Sequence, residues 1–467
     1  MKTSIDLQPW IDSSKLDASL PDVELVQHPR VFGSPIPVRE ASATVLGMVG
    51  HAVNNLWELK TGRRQHVSFD TRHAELSMGS TWLLRLDGTP AHVRFPMGGS
   101  PVEGAFETAD GRLVYLLCAF PAIIQATIEA LGCEATREAV ALAVAKRSSV
   151  DLESMLNSRG LTGVVIRSIE EWRAHPQGMA LREQPVVRFT KLDNSPPVPM
   201  PEGLEPLSGI RVIDATRVIA GPMATRTLAE FGADVLQIGA PHLPDLVASE
   251  ADTGHGKRRC RIDLNGPEGV EQFRSLARQA DVLVQAFRGG SFERRGLSAE
   301  AMARERPGLV YVTESAYGSL GPWANKRGFD GNIQATSGVH DLHARRGFDA
   351  LERHGLAMAI NDYCTGYWGA YGALEGLRRR ATEGGSWHVE VALATTMTWF
   401  LRPPLLEDSE SGVQRTESER LFEEFSEQVD SEYGRITRLR PVLQLSETPA
   451  RWKLPTVVPG THEPVWT

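Results

Sequence analysis

"IRVIDATRVIAGPMATRTLAEFGADVLQIGAP", residues 210–241, sets a short apolar strand ahead of a turn with Gly221-Pro222, then an amphipathic helix with Leu228 and Phe231 on one side, then a second strand, "ADVLQIG". The apolar pattern switches from strand to helix and back within one short unit. The same alternation recurs in "GVEQFRSLARQADVLVQAF" and "AEAMARERPGLVYVTESAYG". Strand, helix, strand in succession predicts an α/β fold built on an open, mostly parallel, Rossmann-like sheet. Ligands of such sheets bind at the carboxyl ends of the strands, where the turns "TRVIAGP", "FRGGSFERRG" and "YGSLGPWANKRGFDG" fall.

Outward from this core, "NSPPVPMPEGLEPLSG" (194–209) carries five prolines and reads as an extended connector, hence a domain boundary. Before it, "AFETADGRLVYLLCAF" reads as a hairpin around Asp110-Gly111, with helical patterns near 122–132 and 168–174, a small α+β block over roughly 100–190. Near the end, "LLEDSESGVQRTESERLFEEFSEQVDSEYGR" (405–435) is acidic with intermittent apolar residues and reads as a solvated helix or a mobile excursion.

The chain of 467 residues is 41% hydrophobic and 23% charged, an ordinary globular balance, and its net charge of −8 leaves no basic footprint for nucleic acid. A small anionic ligand fits better. Cys118, Cys133, Cys260 and Cys364 are widely spaced, with no CxxC or Cys/His ligand pattern, so neither a metal site nor a disulfide framework is expected. The N-terminus "MKTSIDLQPWIDSSKLDASL" has no apolar h-region and no stretch approaches a membrane span. The expected setting is cytoplasmic, with no membrane partner.

One internal echo is present. "GHAVNNLWELKTGRRQHVSFDTRHA" (50–74) parallels "GAYGALEGLRRRATEGGSWHVEVALA" (369–394): a helix of small and apolar residues, a basic glycine turn, then strands beginning His66-Val67 and His388-Val389. Asp362 precedes the second copy, and "PVREASATVLGMVG" before the first reads as having no acid at that point. By itself Asp362, at the head of "DYCTGYWGAYGALEGL", reads as a helix N-cap. A cap can also be a nucleophile where hydration is limited and an acyl carbon can approach, and Tyr363, Thr365 and Gly366 read as leaving such a site open. Cys364 has no base nearby in sequence and is a poor rival. "TGHGKRRCRIDL" and "FRGGSFERRG" gather Lys257, Arg258, Arg259, Arg288, Arg294 and Arg295 beside turn glycines, which is either surface charge or a phosphate site. Neither stretch matches a dinucleotide fingerprint or a P-loop.

Taken in order, "LSGIRVIDATRVIAGPMATRTLAEFGADVLQI", "GKRRCRIDLNGPEGVEQF", "ADVLVQAFRGGSFERRGLSAEAM", "RPGLVYVTESAYGSLGPWANKRGFDGNIQATSG" and "DYCTGYWGAYGALEGL" resemble the class III CoA-transferases, the CaiB/BaiF family that includes formyl-CoA transferase, carnitine CoA-transferase and the α-methylacyl-CoA racemases. The resemblance implies coenzyme A or acyl-CoA as a substrate with no permanently bound cofactor, a small carboxylic acid as the second substrate, and a homodimer. It implies Asp362 as nucleophile, forming an aspartyl anhydride and then an aspartyl-CoA thioester. It also implies CoA contacts at Ile219, Ala220, His255, Gly256, Lys257, Phe287, Arg288, Arg294, Arg327, Gly328, Phe329 and Asp330.

The residues depart from the family pattern at several points. Gly239-Ala240-Pro241 replaces an acid followed by a Pro- or Arg-containing turn, Ala286 replaces an Asn, and no glycine-rich flap is present. Phe329 stands where the racemase branch has His, which disfavours a racemase; His340 and His354 read as ordinary surface or loop histidines. A non-catalytic acyl-CoA-binding protein, or a racemase or CoA-ester lyase on the same fold, are the alternatives. The expected map is an N-terminal extension (1–39), a degenerate later-half segment with the small α+β domain (40–200), a Rossmann-like CoA-binding catalytic domain (207–395), and an acidic excursion with a C-terminal return (396–467). Residues 40–190 resemble the later half of the same family fold, so the halves are expected in rearranged order, or the chain as a trimmed tandem fusion.

Overall fold

The computed structural model describes residues 5–18, 22–96, 99–346, 359–406 and 415–466. Its centre is a seven-stranded sheet of β1 (Arg188–Lys191), β2 (Arg211–Ala215), β3 (Asp234–Gly239), β4 (Lys257–Arg261), β5 (Val282–Gln285), β6 (Val310–Ser315) and β7 (Trp387–Ala392), in the order β4-β3-β2-β5-β6-β7-β1. Six strands are parallel; β1, from before the proline connector, closes the β7 edge antiparallel. From β2 the chain winds outward to β4 and then returns to the other side of β2 as β5. The order therefore reverses between β2 and β5, which is where open α/β sheets form a ligand crevice.

Successive residues of each strand point to opposite faces. On one face Val212, Val235, Val282, Val284, Val310, Val312 and Val389 join the largest core, while Ile213, Leu236, Leu283 and Tyr311 join a second core on the other. Each such side chain contributes roughly 1.5–3 kcal/mol by leaving water. Two helices bear on the first face and on each other, α2 (Ala220–Glu230) and α3 (Ile360–Glu383), and α1 (Val38–Thr61) packs against α3. Gly221 and Pro222, expected in a turn, lie instead in the first turn of α2. Proline is tolerated there because that turn's N–H groups have no helical acceptor.

The internal echo is structural. Helices α1 and α3 are both 24 residues long, and an added Cβ at Gly50 or Gly372, the thirteenth residue of each, would lie 3.0 Å from Val67 or 2.5 Å from Val389. This register pairs Asp362 with Glu40, so the expectation that the first copy has no acid there is incorrect. Glu40 is ion-paired with Arg30 at 2.8 Å and Arg39 at 2.6 Å.

The small block is a three-stranded sheet, Gly104–Glu107, Leu113–Leu116 and Gly163–Val165, packed on helices that include Pro121–Leu131 and Ser149–Ser158. The acidic segment near the end is neither purely helical nor an excursion over its described part. Helix Arg415–Phe425 buries Leu421 and Phe422, and Ser426–Ser431 pairs with Gly434–Leu439 in a four-stranded sheet with Arg85–Leu86 and Thr89–Pro90. Residues 407–414 and His354 lie outside the described residues. His340 is buried, edge-on to Tyr115 at 4.8 Å, and so is not a surface residue. Among the described residues no helix is long and apolar enough to cross a membrane.

Candidate active site

Crossover helices in a parallel sheet run antiparallel to the strands, so their N-termini lie at the strands' carboxyl edge. Helix α3, between β6 and β7, brings Asp362 there. The N-cap is Ala359, in the left-handed region at φ 54°, with no side-chain cap; Asp362 is the third helical residue. The N-cap expectation for Asp362 is therefore incorrect. Tyr363, Thr365 and Gly366 do not open the site to solvent either: all are buried, and Thr365 is hydrogen-bonded to Thr396 at 2.9 Å. Gly366 has a different use, since a Cβ there would lie 2.6 Å from the Ala220 carbonyl oxygen. Its absence lets the first turn of α2 touch the second turn of α3, which sets Asp362 about one helical turn from Ala220.

The Asp362 side chain is 8% exposed. Among the described residues its carboxylate has no hydrogen-bond or ion-pair partner, while its backbone N–H donates to Asp330 Oδ2 at 3.3 Å. Burial first, then the carboxylates of Asp330 and Glu314, push its pKa well above the usual range. Burial likewise raises Asp330 to about 6 and Glu314, at the carboxyl end of β6, to about 7. Three acids thus share one desolvated corner, a repulsive arrangement typical of functional sites rather than of structural ion pairs.

The turn after β2 is also strained. Val218 adopts φ 74°, a conformation a β-branched residue adopts only at a cost of about 1–3 kcal/mol. Two adjoining narrow recesses lie at the carboxyl ends of β2, β3 and β4 and share Gly239, Ala240 and Leu243. The first is lined by Arg217 and Val218, the second by Phe287 and Arg295. The glycine and alanine that stand where the family pattern has an acid thus help form the walls of both.

The residues singled out from sequence divide into two groups. Ile219, Ala220, Phe287, Arg288, Arg327, Gly328, Phe329 and Asp330 gather along the β2–β5–β6 edge with Asp362, and Arg294 is exposed on the same loop as Arg288. Among the described residues Arg288, Arg294 and Arg327 have no acidic partner. Burial, then the Arg288 charge, holds Arg327 below the usual arginine range. Close, unpaired guanidiniums of this kind suit a polyphosphate.

The second group is enclosed. Lys257 is fully buried, 2.8 Å from Asp214 and 2.7 Å from the Pro222 carbonyl, with its pKa lowered to about 8 chiefly by burial. His255 is covered by the Trp452 ring at 5.4 Å, and the Gly256 N–H donates to Leu454 O at 2.9 Å. Arg258 and Arg259 bind Asp234 and Glu250. The basic run on β4 is thus neither surface charge nor a free phosphate site: its cations neutralise acids of the fold.

Sequence reasoning missed three contributors. Phe120, from the small block, lies 6.1 Å from Phe329 and under the Arg217 guanidinium at 4.9 Å, so it walls the edge beside Asp330. No sequence signal links it to the site. Arg217 lies within the quoted "TRVIAGP" turn, and Glu314 is an acid at a strand's carboxyl end; both positions were readable.

Residues 207–424 match the model of a family described as CoA-transferase family III. An acyl-CoA transferase of Gibberella moniliformis (strain M3125 / FGSC 7600) is 28% identical over 400 residues, 77% of this chain and 70% of the relative. The beta subunit of succinyl-CoA–L-malate CoA-transferase from Chloroflexus aurantiacus (strain ATCC 29366 / DSM 635 / J-10-fl) is 34% identical over 200 residues, 40% of this chain and 49% of that subunit. The chain thus spans about half the length of that relative. A solved CaiB/BaiF family protein from Brucella suis is 28% identical, covering 42% of this chain and 55% of that one, with a TM-score of 0.38.

Proposed function

We propose that this chain, whose residues 207–424 belong to CoA-transferase family III, moves coenzyme A from an acyl-CoA to a free carboxylic acid, with Asp362 as the nucleophile. One observation carries the reading: a buried carboxylate that, among the described residues, has no hydrogen-bond or ion-pair partner, at the head of a 24-residue helix, on the sheet edge that also holds Arg288 and Arg327, neither of which has an acidic partner among those residues. A carboxylate stripped of water and donors gains nucleophilicity, and the helix N-terminus favours negative charge beside it. Arg288 and Arg327 suit the phosphates of CoA, while Ile219, Ala220 and Phe329 offer apolar surface next to Asp362.

In the reaction an Asp362 oxygen attacks the thioester carbon, the C–S bond breaks, and CoA leaves as thiolate with the electron pair. The resulting anhydride is attacked by the thiolate at the aspartyl carbonyl, which releases the donor acid as carboxylate and leaves an aspartyl-CoA thioester. The acceptor carboxylate then displaces CoA thiolate, and the thiolate attacks the acceptor carbonyl of the new anhydride. The acceptor departs as its CoA ester and the Asp362 carboxylate is restored. Two moderate barriers replace one high one at each exchange. The four cysteines are free, which fits a reducing cytoplasmic setting, and a homodimer is part of the same reading.

A second reading, exchange of a CoA ester's α-proton, draws on Asp330 and Glu314 as acids flanking Asp362. Both are tested by incubation with succinyl-CoA or acetyl-CoA and hydroxylamine, followed by peptide mass spectrometry. A hydroxamate at Asp362 that requires acyl-CoA, and is absent in Asp362→Asn, supports transfer. Turnover of the ester with no adduct at Asp362 overturns it, and solvent deuterium at the α-carbon favours the second reading.

A further inference from the structure

Something must hold Asp362 in place against two neighbouring acids. The helix cap does not: Ala359 offers no side chain to the first-turn N–H groups and adopts φ 54°, a conformation alanine disfavours. The next residue along, Tyr363, is fully buried and points into a polar network. Its phenol donates to Asp252 Oδ2 at 2.8 Å and accepts from the Thr81 N–H at 2.8 Å. The same Asp252 oxygen accepts from Ser80 Oγ at 2.6 Å and Thr81 Oγ1 at 3.1 Å, and the other oxygen from Arg226 at 2.7 Å. All five side chains are buried, at 4% exposure or less. The Asp252 carboxylate thus joins donors from three parts of the chain: the short helix Ser80–Leu83, α2 and α3.

We infer that Tyr363 and Asp252 are positioning residues for the Asp362 carboxylate, and that Ser80 and Thr81, although far outside residues 207–424, belong to the catalytic apparatus through them. The inference rests on Asp362 being the nucleophile and deepens that reading. A short, charge-assisted hydrogen-bond network fixes the first turn of α3 through the residue next to Asp362. With the turn fixed, the Asp362 oxygen stays within reach of the acyl carbon instead of rotating away from Asp330 and Glu314. A displacement of about 1 Å at a reacting atom costs about 100-fold in rate.

The test compares Tyr363→Phe with Tyr367→Phe. Tyr367 lies one turn further along the same helix, equally enclosed, with its phenol hydrogen-bonded to Ser77 at 3.2 Å. Both variants lose one buried phenol, so a merely structural role predicts equal effects. The probes are succinyl-CoA and acetyl-CoA with hydroxylamine, read as Asp362 hydroxamate per minute, together with CoA affinity by calorimetry. Expected for Tyr363→Phe is a fall of roughly 10- to 100-fold in the hydroxamate rate with CoA affinity within about threefold of the parent. Expected for Tyr367→Phe is a rate within about threefold of the parent. Asp252→Asn, which keeps the shape and lowers the charge, is expected to fall between them.

If the parent forms the adduct and Tyr363→Phe forms it as fast, the positioning role is overturned while the nucleophile stands. Equal losses in the two tyrosine variants overturn it too, as a general packing effect. If the parent turns over the ester with no Asp362 adduct, both readings fall together. Circular dichroism and thermal melts of each variant confirm folding, and a Tyr363→Phe that does not fold is replaced by Thr81→Val, which removes one donor to Asp252 and is expected to lower the hydroxamate rate in the same direction.

Discussion

Replacing Asp330 by Asn removes the charge whose oxygen lies 3.3 Å from the Asp362 backbone nitrogen and keeps an oxygen to accept that N–H. Two carboxylates about 5 Å apart, in surroundings of effective dielectric about 20, repel by roughly 3 kcal/mol, or about two pKa units. Asp330 itself ionises near 6, so the pair shares protons and only part of that repulsion acts on Asp362 at any one pH. The acid limb of the pH profile of kcat/KM is therefore expected to move down by about one to two units in Asp330→Asn, with the plateau retained within about tenfold.

Stability moves with the opposite sign. A carboxyl whose folded pKa is raised binds its proton more tightly in the fold, so its contribution is full below the unfolded value near 4 and is lost as pH rises through 6 to 7. The parent should lose stability between about pH 4 and 8, and Asp330→Asn should lose less, measured by urea unfolding at each pH. Glu314→Gln should shift the kinetic limb in the same direction by a smaller amount. An unmoved acid limb in an Asp330→Asn enzyme that keeps its plateau would refute the claim that Asp362 ionisation limits the rate.

Arg288→Ala and Arg327→Ala should each raise KM for acyl-CoA roughly tenfold, as expected for a lost charge-assisted phosphate contact, with kcat little changed and the loss shrinking at high salt. Lys257→Met leaves Asp214 buried without its cation and should cost about 3–5 kcal/mol in urea unfolding; calorimetric CoA affinity of the folded fraction separates this from any direct contact with CoA. Gly366→Ala drives a methyl group to 2.6 Å from the Ala220 carbonyl, and the backbone there cannot yield cheaply. It should lower the thermal midpoint and the rate of Asp362 adduct formation together, and a variant with normal values for both would mean that α2 and α3 do not need this contact.

The α/β class was legible in residues 210–318 because β2, β3, β5 and β6 are short apolar runs, whereas β4, "KRRCR", is a basic run without that signal and Gly221-Pro222 is helical rather than a turn. The reversal point at β2 and β5 could not be read directly, since strand order is set by crossovers of equal length either way. The antiparallel β1 was hidden for a different reason. "RFTK" is too short and too polar to read as a strand, and it pairs only because β7 exposes an edge. The hairpin over residues 426–439 was missed because its strands are rich in charge and one of its faces is open to solvent; the apolar positions that anchor it, Ile436 and Leu439, are too few to show a period.

Charge is where sequence informs least, because a side chain's partner decides its chemistry. Lys257, Arg258 and Arg259 form the densest basic run of the α/β half, and each is held by an acid of the fold. Arg288 stands alone in sequence and Arg327 follows only Lys326, and among the described residues both lack an acidic partner at the crevice. The two acids at the third position of α1 and α3 make the same point more sharply. Glu40 lies between two guanidiniums and Asp362 between two carboxylates, although the helices have the same length and meet a corresponding strand valine, Val67 or Val389, at the same residue. A carboxylate stabilised by two cations has little reason to attack an acyl carbon, whereas one destabilised by two anions loses repulsion when its charge is consumed in a covalent bond. The repeat therefore supplies an acid twice, and on the proposed reading the neighbours, not the acid, assign the nucleophile to the second copy.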